Sequence, residues 1–510
     1  VELTALLDHH ARYRPDATAV VFAEQRLDYR AFNARCNRTA NLLLALGIGK
    51  GERVATFLPN TLELLELYWG CAKIGAVVVP LSPLLTGTGL AGLIDDAGAV
   101  CLVTQQSLLP VVAAILPRAT LEQSRILLID ATLPGWGSYA ALAAAAAETA
   151  PPAAGVTADD LFNIMYTSGT TGLPKGIMHS HRVRAMYALT LGPAWRMTPE
   201  SVVLHTGAIV FNGAFVTLMP AFHLGATYIL HRQFDAAVML DTIAREKVTH
   251  IMVVPAQIAA LLDAPEFAAG KLDSLQMILS LGAPLPQARK DQLNRLLPGR
   301  FHELYGLPEG FVTILDKTAA VRKAGSVGCP QLFCAVRIVD ETGNDLPVGQ
   351  AGEIVGRGPL VMQGYWGKPE LTAQTLRDGW IHSGDIGYLD EEGYLYLVDR
   401  KKDMIDSGGV KVYPRDIEEI AAGHPAIADV AVFGVPDEKW GETPVAAVVL
   451  KVGAGVTADE LRDWINARVA ARYQRVKAAV ILPEFPRNAA GKTLKRNMRD
   501  PYWAGRETKL

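Results

Sequence analysis

Cysteine is scarce in this chain: five residues in 510, namely Cys36, Cys71, Cys101, Cys329 and Cys334. An odd handful, mostly inside apolar runs, excludes a disulfide framework and fits reduced, buried thiols. Cys329 and Cys334 have no further Cys or His close by in sequence, which argues against a metal centre there. An excess of one charge is missing too. Lys and Arg total 49 against 52 Asp and Glu, a net charge of −3, so neither a nucleic-acid surface nor a polybasic membrane face is expected. No uninterrupted apolar run reaches the roughly 18–20 residues of a transmembrane helix. The opening VELTALLDHHARYRPDATAV puts charges and histidines where a secretory signal needs an apolar core, so a cytoplasmic location is expected. What the chain has in quantity is apolar residues, half of the total. Its length suggests about three to four domain-sized units.

Over the first 300 residues, short β-branched runs alternate with amphipathic segments. RVATFLPN (53–60), AVVVPL (76–81), AVCLVT (99–104), RILLID (125–130), ATYIL (226–230), HIMVVPA (250–256) and QMILSLGA (276–283) read as strands bounded by Gly, Pro or Asp. Near-continuous apolar strands between helices imply sheets covered on both faces, an α/β architecture. AALAAAAAETAPPAAG (140–155) reads as a helix ending in a linker. Near residue 325 the pattern turns to period-two alternation with frequent turn residues. GYLDEEGYLYLVDR (387–400) reads as a hairpin turning at Glu391-Glu392-Gly393, so a small antiparallel, barrel-like unit is expected over about 325–399. The charged run DRKKD opens a third, α+β region.

One stretch fits no core element. YTSGTTGLPKG (166–176) crowds hydroxyls, glycines and a lysine between a strand at 162–166 and a helix at 181–192, so it is expected on a strand-to-helix loop. Gly169, Gly172 and Gly176 would let the backbone approach a ligand and turn with positive φ. Backbone N–H groups, with the hydroxyls of Thr167, Ser168, Thr170 and Thr171, would form a nest for anionic oxygens, and Lys175 would add a point charge. The spacing is not that of the Walker loop, because Gly176 stands where a magnesium-holding hydroxyl would be. GKT at 491–493 is a decoy, since Pro486 occupies the place of that motif's first glycine.

YTSGTTGLPKG resembles the phosphate loop of the adenylate-forming superfamily of acyl-CoA synthetases, luciferases and carrier-loading adenylation domains. ELYGLPEG (303–310), GWIHSGDIGYLDEEGYLYLVDRKKDMI (379–405), SGGVKVYPRDIE (407–418) and PRNAAGKTLKR (486–496) follow in the family's order. The likeness spans essentially the whole chain. It implies a large N-terminal domain at 1–399, made of two α/β subdomains and the small β-barrel. A hinge at 400–402 and a small mobile α+β domain at 403–510 would follow.

The resemblance also implies roles. Thr167, Ser168, Gly169, Thr170, Thr171, Gly172 and Lys175 would hold the ATP phosphates, and Glu309 would bind Mg2+, a hard ion suited to oxygen ligands. Asp385 and Arg400 would hold the ribose hydroxyls. Gly282, Ala283 and Pro284, with Leu304, Tyr305 and Gly306, would sandwich adenine. Lys492 resembles the catalytic lysine that reaches the carboxylate and the α-phosphate, and Lys402 matches the family's pivot. Turning of the small domain would withdraw Lys492 and bring up Gly408 and Gly409 beside a passage for the CoA thiol. Trp440 and Arg475 would lie against CoA. The acyl pocket would be formed by Val210, Phe211, Asn212, Met252, Leu281, Gly306, Phe311 and Val312.

The chain departs from the family pattern at three points: Pro308 replaces a Thr, Val210 a His, and Leu281 a small residue. Bulky Leu281 and Phe311 would shorten an apolar pocket. The activity so implied is an AMP-forming ligase joining a small, uncharged carboxylic acid (short or branched aliphatic, alicyclic or aromatic) to CoA. Its expected partners are the acid, ATP and CoA, with a homodimer allowed. Competing readings are a carrier-loading adenylation enzyme, a luciferase-type oxygenase and a nucleotide sensor without chemistry.

Overall fold

The computed structural model describes residues 2–504 except 86, 118–119, 168–174, 401–402, 408–409, 439, 470 and 488–492, and except the side chains of Thr88, Arg400 and Lys411. It divides into two compact units. Val1–Ala324, Gly328–Ala335 and Gly356–Ile381 form the first; Gly325–Val327, Val336–Val355 and His382–Leu510 form the second.

The first unit is built on two large sheets. One has eight strands and runs from Gly364–Tyr365 through Lys175–Ser180, Leu161–Thr167, Val77–Leu81, Arg53–Phe57, Ala99–Thr104 and Ile126–Leu128 to Gly137–Ser138. The other has nine. Phe301–Gly306, Met277–Leu281, His250–Val253, Val202–His205, Thr227–Leu230 and Thr18–Phe22 lie parallel at its centre. The apolar runs of the sequence supply these strands because both faces are covered; all five residues of Val77–Leu81 are buried.

The helix Leu62–Ile74 ties the two sheets into one core. Thr61 caps its start by accepting from the Leu64 N–H, and Gly75, at φ 71°, ends it. Every residue except Glu63 is buried. Trp69 packs edge-on to Phe162 of one sheet at 6.2 Å and against Phe222, which precedes a strand of the other, at 5.1 Å. Gly70 is required there, since a Cβ would come within 2.7 Å of the Thr39 side chain on the helix Tyr29–Ala45.

Ala335–Val339, Gly352–Arg357, Trp380–Leu389 and Leu395–Arg400, most of whose residues belong to the second unit, are neighbours in a small sheet. Its last two strands form the expected hairpin, with Gly393 at φ 78° in the turn. The α+β region follows. Ile427–Asp437 and Gly441–Leu450 pair antiparallel, Ala478–Ile481 lies parallel to the latter, and Ile417, Val448, Leu461 and Ile465 fill its core. The fold is therefore α/β, with a large N-terminal part and a small C-terminal part. No described helix is long and apolar enough to cross a membrane.

Two expectations need correction. Cys36, Cys71 and Cys101 are buried free thiols, but Cys329 is exposed and Cys334 partly so. Cys329 opens a two-residue strand at the edge of the nine-stranded sheet. The stretch after Tyr166 does not run from strand to helix either. KGIMHS is itself a strand, Lys175–Ser180, antiparallel to Leu161–Thr167, and the helix His181–Trp195 begins only after it. Gly176 accordingly has an extended backbone and pairs with Tyr166; a Cβ there would meet Ile164 at 2.8 Å and the Tyr166 ring at 3.1 Å. Its glycine serves close strand packing, not a positive φ.

Burial pushes His181, His205 and His250 down to about 4. A histidine folded in neutral form binds protons only when the chain opens, so stability is full above the ordinary value near 6.5 and falls as the pH drops toward 4. Each such group costs on the order of 2 kcal/mol at pH 5. Urea unfolding at pH 7 and pH 5 is expected to give a clearly lower midpoint at pH 5, and His205→Gln is expected to narrow that gap.

Candidate active site

The strand pairing that overturns the strand-to-helix reading also defines where the candidate phosphate loop begins and ends. Thr167 and Lys175 are the last pair of the hairpin ladder, so they stand opposite each other where residues 168–174 leave and return. Ser168, Gly169, Thr170, Thr171 and Gly172 lie outside the described residues. The Lys175 ammonium sits 5.1 Å from the centre of the Tyr365 ring, and among the described residues it has no hydrogen bond or ion pair.

Tyr365 links that lysine to Glu309. Its hydroxyl donates to the Glu309 Oε1 at 2.9 Å. Burial, with the Glu309 carboxylate beside it, drives the phenol far above its ordinary value, so it stays a donor. The loop carrying Glu309 is pinned from three sides. Met362 N–H donates to the Glu309 carbonyl at 2.8 Å, the His179 Nε2 bonds the Pro308 carbonyl at 2.8 Å, and Gly310 N–H closes a turn onto Leu307. Pro308 thus contributes a main-chain acceptor, already engaged, in place of a hydroxyl.

The adenine and acyl candidates gather at one edge of the nine-stranded sheet, where four neighbouring parallel strands end. Ligands of open α/β sheets bind beyond the carboxyl ends of such strands. Phe301–Gly306 ends in Leu304, Tyr305 and Gly306, and Met277–Leu281 leads into Gly282, Ala283 and Pro284; Leu281 and Leu304 are register partners. Gly282 needs its freedom, with φ at 91°. His250–Val253 supplies Met252, and Val202–His205 leads on to Val210, Phe211 and Asn212. Asn60 holds that last segment in place: its amide donates to the Gly207 and His231 carbonyls and accepts from Ile209 N–H.

The pocket walls differ in accessibility. Phe211, Asn212, Gly213 and Leu281 are partly exposed, whereas Val210, Met252 and Val312 are nearly covered. Phe311 has no exposed surface; its ring lies where any side chain on Gly356 would have to go, edge-on to Tyr305 at 6.2 Å. It backs Tyr305 and presents no wall, which leaves Leu281 as the bulky residue at the pocket. Gly306 has no room for a Cβ, which would stand 2.8 Å from the Phe311 carbonyl and from Val312.

The remaining candidates belong to the second unit. Asp385 is buried and pairs in register with Arg400 across the hairpin; the Arg400 side chain is outside the described residues. Trp440 is half-exposed, Arg475 is exposed, and Lys402, Gly408, Gly409 and Lys492 are outside the described residues. Sequence reasoning missed Tyr365, Asn60, His179 and Arg184. The one signal available was compositional: a tyrosine and a tryptophan in GYWGKPE, a turn-rich stretch with no core period.

Residues 7–366 match the family of AMP-binding enzymes, and residues 416–492 match the AMP-binding enzyme C-terminal domain. Feruloyl-CoA synthase of Amycolatopsis is 37% identical over 499 residues, covering 96% of each chain. Indoleacetate–CoA ligase of Aromatoleum aromaticum is 35% identical, covering 98% of each. The crystal structure of ATP-bound MatB from Rhodopseudomonas palustris superposes with a TM-score of 0.89 at 32% identity, covering 98% of this chain and 99% of that one. The chain therefore belongs to the AMP-binding enzyme family, and it is an AMP-forming acid–thiol ligase of the adenylate-forming superfamily.

Proposed function

We propose that this enzyme activates a compact carboxylic acid with ATP and transfers the acyl group to CoA. The observation that carries the reading is the array at the hairpin mouth: Lys175 over Tyr365 with no ion-pair partner among the described residues, and Tyr365 bonded to Glu309. A cation without a carboxylate partner among the described residues suits phosphate oxygens, while the Glu309 carboxylate suits a hard metal ion. Among the described residues no cluster of three or more His, Cys, Asp or Glu could hold a metal. Mg2+ is commonly held by one or two carboxylates together with substrate phosphates and water. Glu309 would hold it, and its chemistry would be to neutralise charge on the triphosphate.

In the first half-reaction a carboxylate oxygen of the acid attacks the α-phosphorus, the bond to the bridging oxygen breaks, and pyrophosphate leaves. Both reactants are anionic, so the protein's work is alignment and charge stabilisation. Lys175 and the loop of 168–172 would grip the departing phosphates, Asp385 and Arg400 the ribose, and Lys492 the reacting carboxylate and α-phosphate. In the second half-reaction the CoA thiolate attacks the acyl carbon and AMP leaves, with Gly408, Gly409, Trp440 and Arg475 along the approach of CoA and Lys402 as the pivot.

Leu281 beside Gly213 shortens the pocket, which favours a short or branched aliphatic, alicyclic or aromatic acid. Relatives named for feruloyl-CoA and for indoleacetate favour the aromatic arm of that class. The test is AMP release from ATP, CoA and a panel of acids from acetate to palmitate, including aryl acids. Release that needs CoA and is fastest with a compact acid is expected. Equal turnover of palmitate would overturn the size argument; release only with a carrier protein would move the acceptor from CoA to a carrier thiol.

A further inference from the structure

Arg184 is a fully buried cation whose hydrogen-bond partners among the described residues are all neutral. From the helix His181–Trp195 its Nε donates to the Asn163 Oδ1 at 2.9 Å, its Nη1 to the Asn212 Oδ1 at 2.8 Å, and its Nη2 bonds the His179 Nδ1 at 3.1 Å. It lies 4.0 Å above the Phe215 ring and 5.1 Å from the Tyr187 ring. No carboxylate is among its partners in the described residues, and burial lowers its guanidinium only to about 10, so it is charged at neutral pH. A buried charge without a counter-ion is costly. Arg184 is nevertheless placed directly behind Asn212, a partly exposed residue of the candidate acyl pocket.

The guanidinium decides what Asn212 offers. It has only donors, so the amide atom facing it is the oxygen, and a flipped amide would set N–H against N–H. The Asn212 Nδ2 donates one hydrogen to the Tyr187 hydroxyl at 3.0 Å, and its second has no partner among the described residues. Asn212 is thus fixed with one amide hydrogen unengaged among the described residues; it is a partly exposed residue between partly exposed Phe211 and Gly213, and the bare Cα of Gly213 faces Leu281 and Met252. A positive charge behind a donor attracts electron-rich oxygen. His179 carries the same constraint to the Glu309 loop. Its Nδ1 accepts from Arg184 and its Nε2 donates to Pro308, a neutral tautomer consistent with a ring pushed well below its ordinary value by burial and by Arg184.

Resting on the acid-activating reading above, we propose that Asn212, oriented by Arg184, is a specificity-determining residue selecting acids that carry an oxygen acceptor at the end remote from the reacting carboxylate. Asn212 would touch the acid; Arg184 is a positioning residue acting through it. The acceptor is a neutral ether, keto or hydroxyl oxygen, or a second carboxylate.

Matched aryl acids test this, with para or meta methoxy set against ethyl of nearly equal size, and carboxylate as the anionic arm. The readout is kcat/KM for acid-dependent pyrophosphate release. The intact enzyme is expected to favour the oxygen-bearing acid by about tenfold in at least one position, the worth of one well-made hydrogen bond. Asn212→Leu should bring that ratio to about one by raising KM for the oxygenated acid. Arg184→Met should do the same, with Arg184→Lys restoring part of it. General destabilisation would lower both members of a pair alike and leave the ratio in place, which would overturn the assignment. So would a preference for ethyl over methoxy in the intact enzyme. In that case adenylation itself still stands; if no acid releases pyrophosphate, the assignment falls together with the proposed function.

Discussion

Lys492→Ala is expected to lower acyl-AMP formation by about two to three orders of magnitude, the usual loss when one donor to developing transition-state charge is removed. Thioester formation from supplied acyl-AMP and CoA should stay within a few-fold of the unaltered enzyme. The asymmetry follows from the proposed chemistry. In adenylation two anions meet, and an ammonium between the carboxylate and the α-phosphate lowers the barrier directly. In thioester formation the adenylate already exists, and the proposed turn at Lys402 withdraws the lysine from the site. Rapid-quench measurement of each half-reaction separates the two. Equal losses in both would contradict the use of one site in two arrangements.

The second large effect is expected at Glu309. Glu309→Gln keeps the size and an acceptor for the Tyr365 hydroxyl but removes the charge, so the proposed Mg2+ would lose its protein ligand. Pyrophosphate release should fall by about 10²- to 10³-fold, with a higher Mg2+ concentration needed for half-maximal rate. Tyr365→Phe removes a single hydrogen bond to the same carboxylate, 2.9 Å long, and should cost about tenfold. The order of the two effects is the informative result. A Tyr365→Phe loss as large as that of Glu309→Gln would mean that the tyrosine acts on substrate and not through the glutamate.

The fold was legible where one element carries its own signal. The strand expected at 99–104 is the strand Ala99–Thr104, and the turn at 391–393 follows from Gly393 between two alternating runs. The hairpin around the phosphate loop was not, because KGIMHS is short and its glycine resembles loop composition; only pairing with Leu161–Thr167 makes it a strand. The site was legible as motifs and illegible as contacts. Tyr365 meets Glu309 from 56 positions away, and Asn60 holds the 207–209 segment from about 150. No local period encodes such partners. Arg184 was hidden for another reason: an arginine is ordinarily solvated, and only the folded interior reveals that its partners are Asn163, Asn212 and His179.

Acid-dependent exchange of labelled pyrophosphate into ATP, with Mg2+ present and CoA absent, tests the central proposal most directly. Exchange that appears only when a compact carboxylic acid is added, and that vanishes in Lys492→Ala, is the predicted result. No exchange with any acid, in a folded enzyme that still binds ATP, would contradict it.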